Sequence, residues 1–157
     1  MRRHVDYLLD ADLNELSIEL LISSMQRPLE FIRIKKIKEL GIKFPQNYRF
    51  LEVLEKNNED IIQKNFASKF HINQSTVTRS LNALENDGFI KRSILDNNKK
   101  NKVIKLTDKG KDVLTEMHKF DAELEKELFR NFSQEEIDEF KKFCVKFSKN
   151  AVDFLDF

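Results

Sequence analysis

The stretch Gln63–Leu106, QKNFASKFHINQSTVTRSLNALENDGFIKRSILDNNKKNKVIKL, decides how the rest of the chain is read. Its pattern predicts a short helix, a tight turn, a second helix and a two-stranded hairpin. The second helix carries Val77, Leu81 and Leu84 on one face at helical spacing. Asn73 is placed to cap it, because its side-chain oxygen can accept from the open amides of the first turn. Gly88 is placed to end it with the left-handed residue that helix C-termini favour. Ser75, Arg79, Asn82 and Asn86 then fall on the opposite face, and none of them favours burial. A helix-turn-helix with such a second helix suits a DNA major groove. The plainer alternative is a solvated face, since surface helices are commonly polar on one side.

Two features beyond that helix favour DNA. The hairpin tip, Asp96-Asn97-Asn98-Lys99-Lys100-Asn101-Lys102, combines turn formers with cations. Charge is also unevenly spread along the chain. Ile61–Lys111 holds 11 Lys/Arg against 4 Asp/Glu, a net of +7. Met1–Asp60 gives 10 against 11, and Asp112–Phe157 gives 7 against 12, so the flanks stand at −1 and −5. A chain of net charge +1 that keeps its positive charge in the middle third has an electrostatic footprint there, suited to phosphate.

The same residues resemble the MarR family of winged helix-turn-helix transcription regulators. The likeness is carried by STVTR (Ser75–Arg79), by Leu-x-x-Leu-Glu-x-x-Gly (Leu81–Gly88) and by LTDKG (Leu106–Gly110), and it runs from about Leu20 into the C-terminal helices. One departure stands out. The family's wing tip usually carries Asp-x-Arg, and the matching positions here are Asn98 and Lys100, with Asp96 two residues earlier. The resemblance implies a homodimer in which N- and C-terminal helices of two subunits interleave. It also implies a small-molecule effector pocket between the dimer layer and the winged domain. Phe31, Tyr48 and Phe120 are candidates to line that pocket, although each taken singly reads as core.

Length and composition agree. At 157 residues the chain is one ordinary domain, or a DNA-binding module with an oligomerisation layer. Only 3 Gly and 2 Pro argue for a mainly α protein, here with a small β-hairpin wing. The expected organisation is a winged helix-turn-helix over about 45–111, with helical dimerisation regions over about 10–40 and 112–157. No apolar run approaches the roughly 18 residues of a membrane span, and the N-terminus lacks an apolar signal region, so the protein is expected to be cytoplasmic with no membrane partner. A single cysteine, Cys144, allows neither an internal disulfide nor a cysteine-based zinc site.

Outside the central stretch, apolar spacing predicts a helix from Asp12 to Leu40 that ends at Gly41. Pro28 should kink it or split it at Arg27-Pro28. Pro45 should open a helix reaching Lys56, a favoured place for proline, with Phe50, Leu51 and Leu54 inside. Ile61-Ile62 reads as a small extended piece against the wing. Thr107 should cap a helix reaching about Asn131, with Val113, Leu114, Met117, Phe120, Leu124 and Leu128 on its apolar face. Ser133 with Glu136 makes a capping box for the last helix. That helix carries Phe140, Phe143, Cys144, Phe147, Val152, Phe154 and Leu155, more apolar surface than docking on one neighbour needs. Together the terminal helices read as a dimerisation layer, which suits a twofold DNA site with half-sites about 34–36 Å apart.

The residues expected at DNA are Gln74, Ser75, Thr76, Thr78, Arg79 and Asn82 on the second helix, Arg92 in the hairpin, and Lys99, Lys100 and Lys102 in the wing. Arg79 is the candidate for a bidentate contact to guanine, with a phosphate contact as the rival reading. The wing cations suit phosphates or the minor groove. Cys144 reads as a buried structural thiol, free Cys being among the most buried residue types, with a redox-sensing regulator as the alternative. His4, His71 and His118 have no second ligand at metal spacing, and neither a metal nor a cofactor is expected. Glu123, Glu127, Glu135 and Asp138 read as a solvated face. The function expected is a DNA-binding regulator acting as a homodimer, and the second reading is a winged-helix module that binds another protein. An enzyme has no support, for want of a Gly-rich phosphate loop, a nucleophile–base pair or a metal cluster.

Overall fold

Local capping decides where the first long helix begins and ends. The computed structural model describes residues 11–57, 61, 62, 66, 72–95 and 98–155. Helix α1 spans Ile18–Glu39, a later start than its apolar spacing suggests. Asp12 closes a local turn instead, accepting the Asn14 amide at 2.9 Å, and a 3-10 turn follows over Leu13–Glu15. Ser17 takes the cap and accepts from the Leu20 amide at 3.1 Å. Pro28 lies inside one continuous helix, so the split expected at Arg27-Pro28 does not occur. One missing backbone bond is a local cost that a 22-residue helix absorbs. The far end closes as expected at Gly41, whose φ is +88°, with the Ile42 amide donating to Ile37 O at 3.2 Å.

Pro45 opens a 3-10 turn over Pro45–Asn47 that runs into helix α2, Tyr48–Lys56, which buries Tyr48, Phe50, Leu51 and Leu54. Strand β1, Ile61–Ile62, follows. Phe66 is helical and fully buried, stacked on Phe50 with centroids 5.2 Å apart. The rest of the first helix of the helix-turn-helix, His71 included, lies outside the described residues, as does His4. Helix α3 is Gln74–Asn86, strand β2 Ile90–Leu95 and strand β3 Asn98–Leu106. Helices α4, Asp108–Leu128, and α5, Gln134–Leu155, complete the chain. Helix α4 thus ends a little before the expected Asn131, in a turn over 129–131. The fold is mainly α with a small winged sheet. No described helix is long and apolar enough to cross a membrane.

The sheet is antiparallel in the order β1-β3-β2, with Ile61 opposite Ile104 and Ile90 opposite Leu106. Near the tip the register jumps from Ile94↔Lys102 to Leu95↔Asn98. Strand β3 therefore reaches further into the tip than the run of turn formers suggests. Lys99, Lys100 and Asn101 fall in the irregularity between the paired positions, where a bulge bends and re-aims a strand.

The chain divides into two units, one up to Met117 and one from His118. In the first, Val77, Leu81, Leu84, Phe89, Ile90, Val103, Ile104, Val113, Leu114 and Met117 are all buried. Gly110 sits where α4 meets the turn after α3. A Cβ there would lie 2.2 Å from the Phe89 carbonyl oxygen, so only glycine fits.

In the second unit the capping box forms as expected. The Glu136 amide donates to Ser133 Oγ at 3.2 Å, and the Ser133 amide to Glu136 Oε2 at 2.7 Å. Phe129 packs edge-on against Phe132 and Phe140, and Lys141 pairs with Glu125 at 3.2 Å. Helix α5 buries none of its residues. Cys144 is exposed, which corrects the expectation of a buried thiol: burial of a free Cys presumes a cover, and among the described residues none of α5 is buried.

Gly110→Ala should lower stability by about 1–3 kcal/mol through overpacking against the Phe89 carbonyl. Urea unfolding checks this as a lower midpoint at unchanged slope. An unchanged midpoint would contradict the packing described.

Candidate nucleic-acid interface

Helix α3 is divided lengthwise between a face committed to the core and a face left to solvent. Val77 and Leu81 are fully buried and Ser80 nearly so, while Gln74, Ser75, Arg79, Asn82 and Asn86 are exposed. Thr76 and Thr78 lie half-buried at the border. The N-terminus is capped as expected, with Asn73 Oδ1 accepting the Thr76 amide at 2.8 Å. Ser75 Oγ donates to the same oxygen at 2.7 Å, and Thr78 Oγ1 donates to Gln74 O at 2.9 Å. These bonds order the first two turns, where a groove-binding helix presents its side chains to base edges.

The other end of α3 is tied down from several directions. Gly88 has φ +77°, and the Phe89 amide returns to Leu84 O at 2.9 Å. Thr107 does two jobs: its hydroxyl donates to Gly88 O at 2.7 Å, and its oxygen accepts the Gly110 amide at 3.1 Å as the cap of α4. Lys109 Nζ donates to Asp87 O at 2.7 Å and stands 4.5 Å from the centre of the Phe89 ring. Lys43 Nζ reaches the Asp87 carboxylate at 3.3 Å. The LTDKG run thus acts as a bracket on the end of α3.

Six of the ten expected contact residues, Gln74, Ser75, Thr76, Thr78, Arg79 and Asn82, come together along this helix. Arg92 is placed differently. Its Nε donates to Glu85 Oε2 at 2.9 Å, its terminal nitrogen bonds the same carboxylate, and that nitrogen also donates to Asn82 Oδ1 at 2.7 Å. Its side chain is only 13% exposed. The side chains of Lys99, Lys100 and Lys102 lie outside the described residues. The sequence reading overlooked Lys91 and Lys105, which face each other across β2 and β3 and are both exposed. Strand alternation hints at such a pair, but only the register identifies it. The arrangement offers hydrogen bonds and positive charge. Among the described residues, no cluster of three or more His, Cys, Asp or Glu could hold a metal ion.

Comparison with known proteins points the same way. Residues 46–102 match the model of the MarR family. The HTH-type transcriptional regulator BilQ of Clostridioides difficile (strain CD3) is 24% identical over 139 residues, covering 87% of this chain and 93% of that protein. Among solved structures, the transcriptional regulator SlyA is 29% identical with a TM-score of 0.66, over 88% of this chain and 96% of its own. A variant of S. aureus MepR, solved bound to an oligodeoxyribonucleotide, shares the fold at 21% identity and a TM-score of 0.68, over 87% and 99%.

Asn73→Ala should cost about 1 kcal/mol by uncapping α3, and Asn73→Asp should retain most of the native value. Arg79→Ala should change stability by no more than about 0.5 kcal/mol, its side chain being exposed. Thermal melting of the three variants checks both; a large loss at Arg79 would mean that it serves the fold.

Proposed function

We propose that this chain, which belongs to the MarR family of transcription regulators, binds specific double-stranded DNA sites as a homodimer. The observation that carries the proposal is the division of α3, whose polar face stands exposed while its apolar face and both ends are fixed. Such a helix can enter a groove without giving up packing. The net charge of +7 over Ile61–Lys111 supplies the attraction to phosphate. The MepR neighbour on an oligodeoxyribonucleotide supports the same use of the fold. Duplex DNA as the target fits a cytoplasmic protein.

The roles divide by chemistry. Gln74, Ser75, Thr76, Thr78 and Arg79 enter the major groove, where donor and acceptor patterns differ for every base pair. Arg79 takes a bidentate contact to guanine. Lys99, Lys100 and Lys102 reach phosphates or the adjacent minor groove, with Lys91 and Lys105 behind them at the wing's base. A lysine is a mobile point charge without arginine's planar fork, so a wing with Lys100 adds affinity more than sequence information.

Dimerisation follows from the outer helices. Phe140, Phe143, Phe147 and Phe154 recur at helical spacing on α5, and Phe143 and Phe154 are 67% and 78% exposed. On α1, Ile18, Met25 and Phe31 are also exposed. Burying each such side chain contributes about 1.5–3 kcal/mol, and a second copy offers the matching surface. The winged segment then reads DNA, while regions near 10–40 and 112–157 join the subunits. A small molecule that regulates such a dimer must bind its DNA-competent and DNA-incompetent arrangements with different affinity, since equal affinity shifts nothing.

Arg79→Ala should cost about 1–3 kcal/mol on a preferred duplex and flatten discrimination between duplexes. Lys100→Ala should weaken binding to all sequences alike and lower the salt slope by roughly one. Competition binding at two salt concentrations checks both, and the opposite pattern would reverse the two roles. Phe147→Glu should weaken self-association and DNA affinity together. Sedimentation of the native chain as a stable monomer at micromolar concentration would rule out the homodimer.

A further inference from the structure

We infer that Glu85 and Arg92 are positioning residues: they fix the wing to α3 and turn Asn82 so that its N–H donors face DNA. This rests on the DNA-binding reading above and adds a specificity device to it.

The starting point is the sheet edge. In the order β1-β3-β2, one side of β2 has no neighbouring strand among the described residues. The Arg92 amide donates to Glu85 Oε1 at 3.1 Å, so a helix carboxylate stands where a strand carbonyl would otherwise be. The other oxygen of that carboxylate takes the guanidinium of the same residue, at 2.9 Å from Nε. One side chain of α3 therefore holds both backbone and side chain of β2. Glu85 is seven residues from Arg92, and the intervening turn is itself fixed by Thr107 and Lys109. A largely buried guanidinium is less screened than a surface ion pair, so the clamp keeps its geometry in salt.

Asn82 closes the third side. It lies one turn before Glu85 on the same helix face. An arginine has donors and no acceptor, so the group that Asn82 shows to Arg92 has to be its oxygen. That fixes the amide's orientation and turns Nδ2 away from Arg92. Asn82 is exposed, so what it presents is a pair of N–H donors. The matching partners are acceptors alone, such as guanine O6 and N7, thymine O4 or a phosphate oxygen. Without the clamp the amide could turn either way, and the helix would accept both kinds of base edge.

The test uses the full-length chain, a duplex that the native protein recovers from a random pool, and a duplex of random sequence. Binding is measured over a salt series for native protein, Glu85→Gln, Arg92→Gln and the double variant. The expected result is a loss of roughly tenfold in discrimination for each single variant, with a native salt slope and a double variant no worse than either single. Glu85→Asp, which keeps the charge, is the second variant and should retain more discrimination than Glu85→Gln. Additive losses would overturn the clamp. So would a lower salt slope in Arg92→Gln with full discrimination in Glu85→Gln, because Arg92 would then touch phosphate directly. A native protein that prefers no recovered duplex rejects the DNA-binding reading; native discrimination that survives both substitutions rejects the clamp alone.

Discussion

The turn Asp87–Phe89 is the point on which the first unit depends. Gly88 takes a left-handed conformation there, Phe89 goes into the core, and the chain passes from α3 to β2. Helix α4 returns to the same place, with Gly110 packed so closely on the Phe89 carbonyl that a side chain is excluded. Thr107, Lys109 and Lys43 then bind the turn's carbonyls and carboxylate. Three elements that are far apart in use, α3, the wing and α4, thus share one anchorage. A displacement of α4 would be felt at α3 through these contacts, because packed interiors do not deform continuously.

Rigidity at that end is what allows polarity at the other. An exposed polar helix face contributes little to stability, so α3 has to be held by Val77, Leu81 and Leu84 and by its two ends. The outer helices show the reverse imbalance. Helix α5 is capped and regular, yet it carries its aromatic residues into solvent. Its shape is set locally, and among the described residues none of its own is buried. The first unit exposes polar chemistry along α3 and some apolar side chains on α1. The second exposes apolar surface along α5.

What could be read from the sequence was mostly what local chemistry decides. Asn73, Gly88, Gly41 and the Ser133–Glu136 box act within one or two helical turns, and each formed as its residue type implies. The Val77–Leu81–Leu84 face was legible for the same reason. Helix α1 began later than its apolar spacing suggested because Asp12 satisfied a neighbouring amide and Ser17 outcompeted it as cap. Arg92 was harder. A cation beside a wing suggests an outward contact, and only the turn geometry brings Glu85 and Asn82 to it. Cys144 was not legible because average burial of cysteine says nothing about a helix that buries none of its residues. At the wing tip, composition did not reveal the register jump that leaves Lys99 and Lys100 between paired positions.

The most direct test of a dimeric, sequence-reading protein is the pattern of the DNA it selects. Native protein is incubated with a pool of random duplexes, and the retained fraction is sequenced. The account predicts enrichment of an inverted repeat whose half-site centres lie about one helical turn apart, roughly 34–36 Å. Retention without enrichment of any sequence, or enrichment of a single asymmetric half-site, would contradict it.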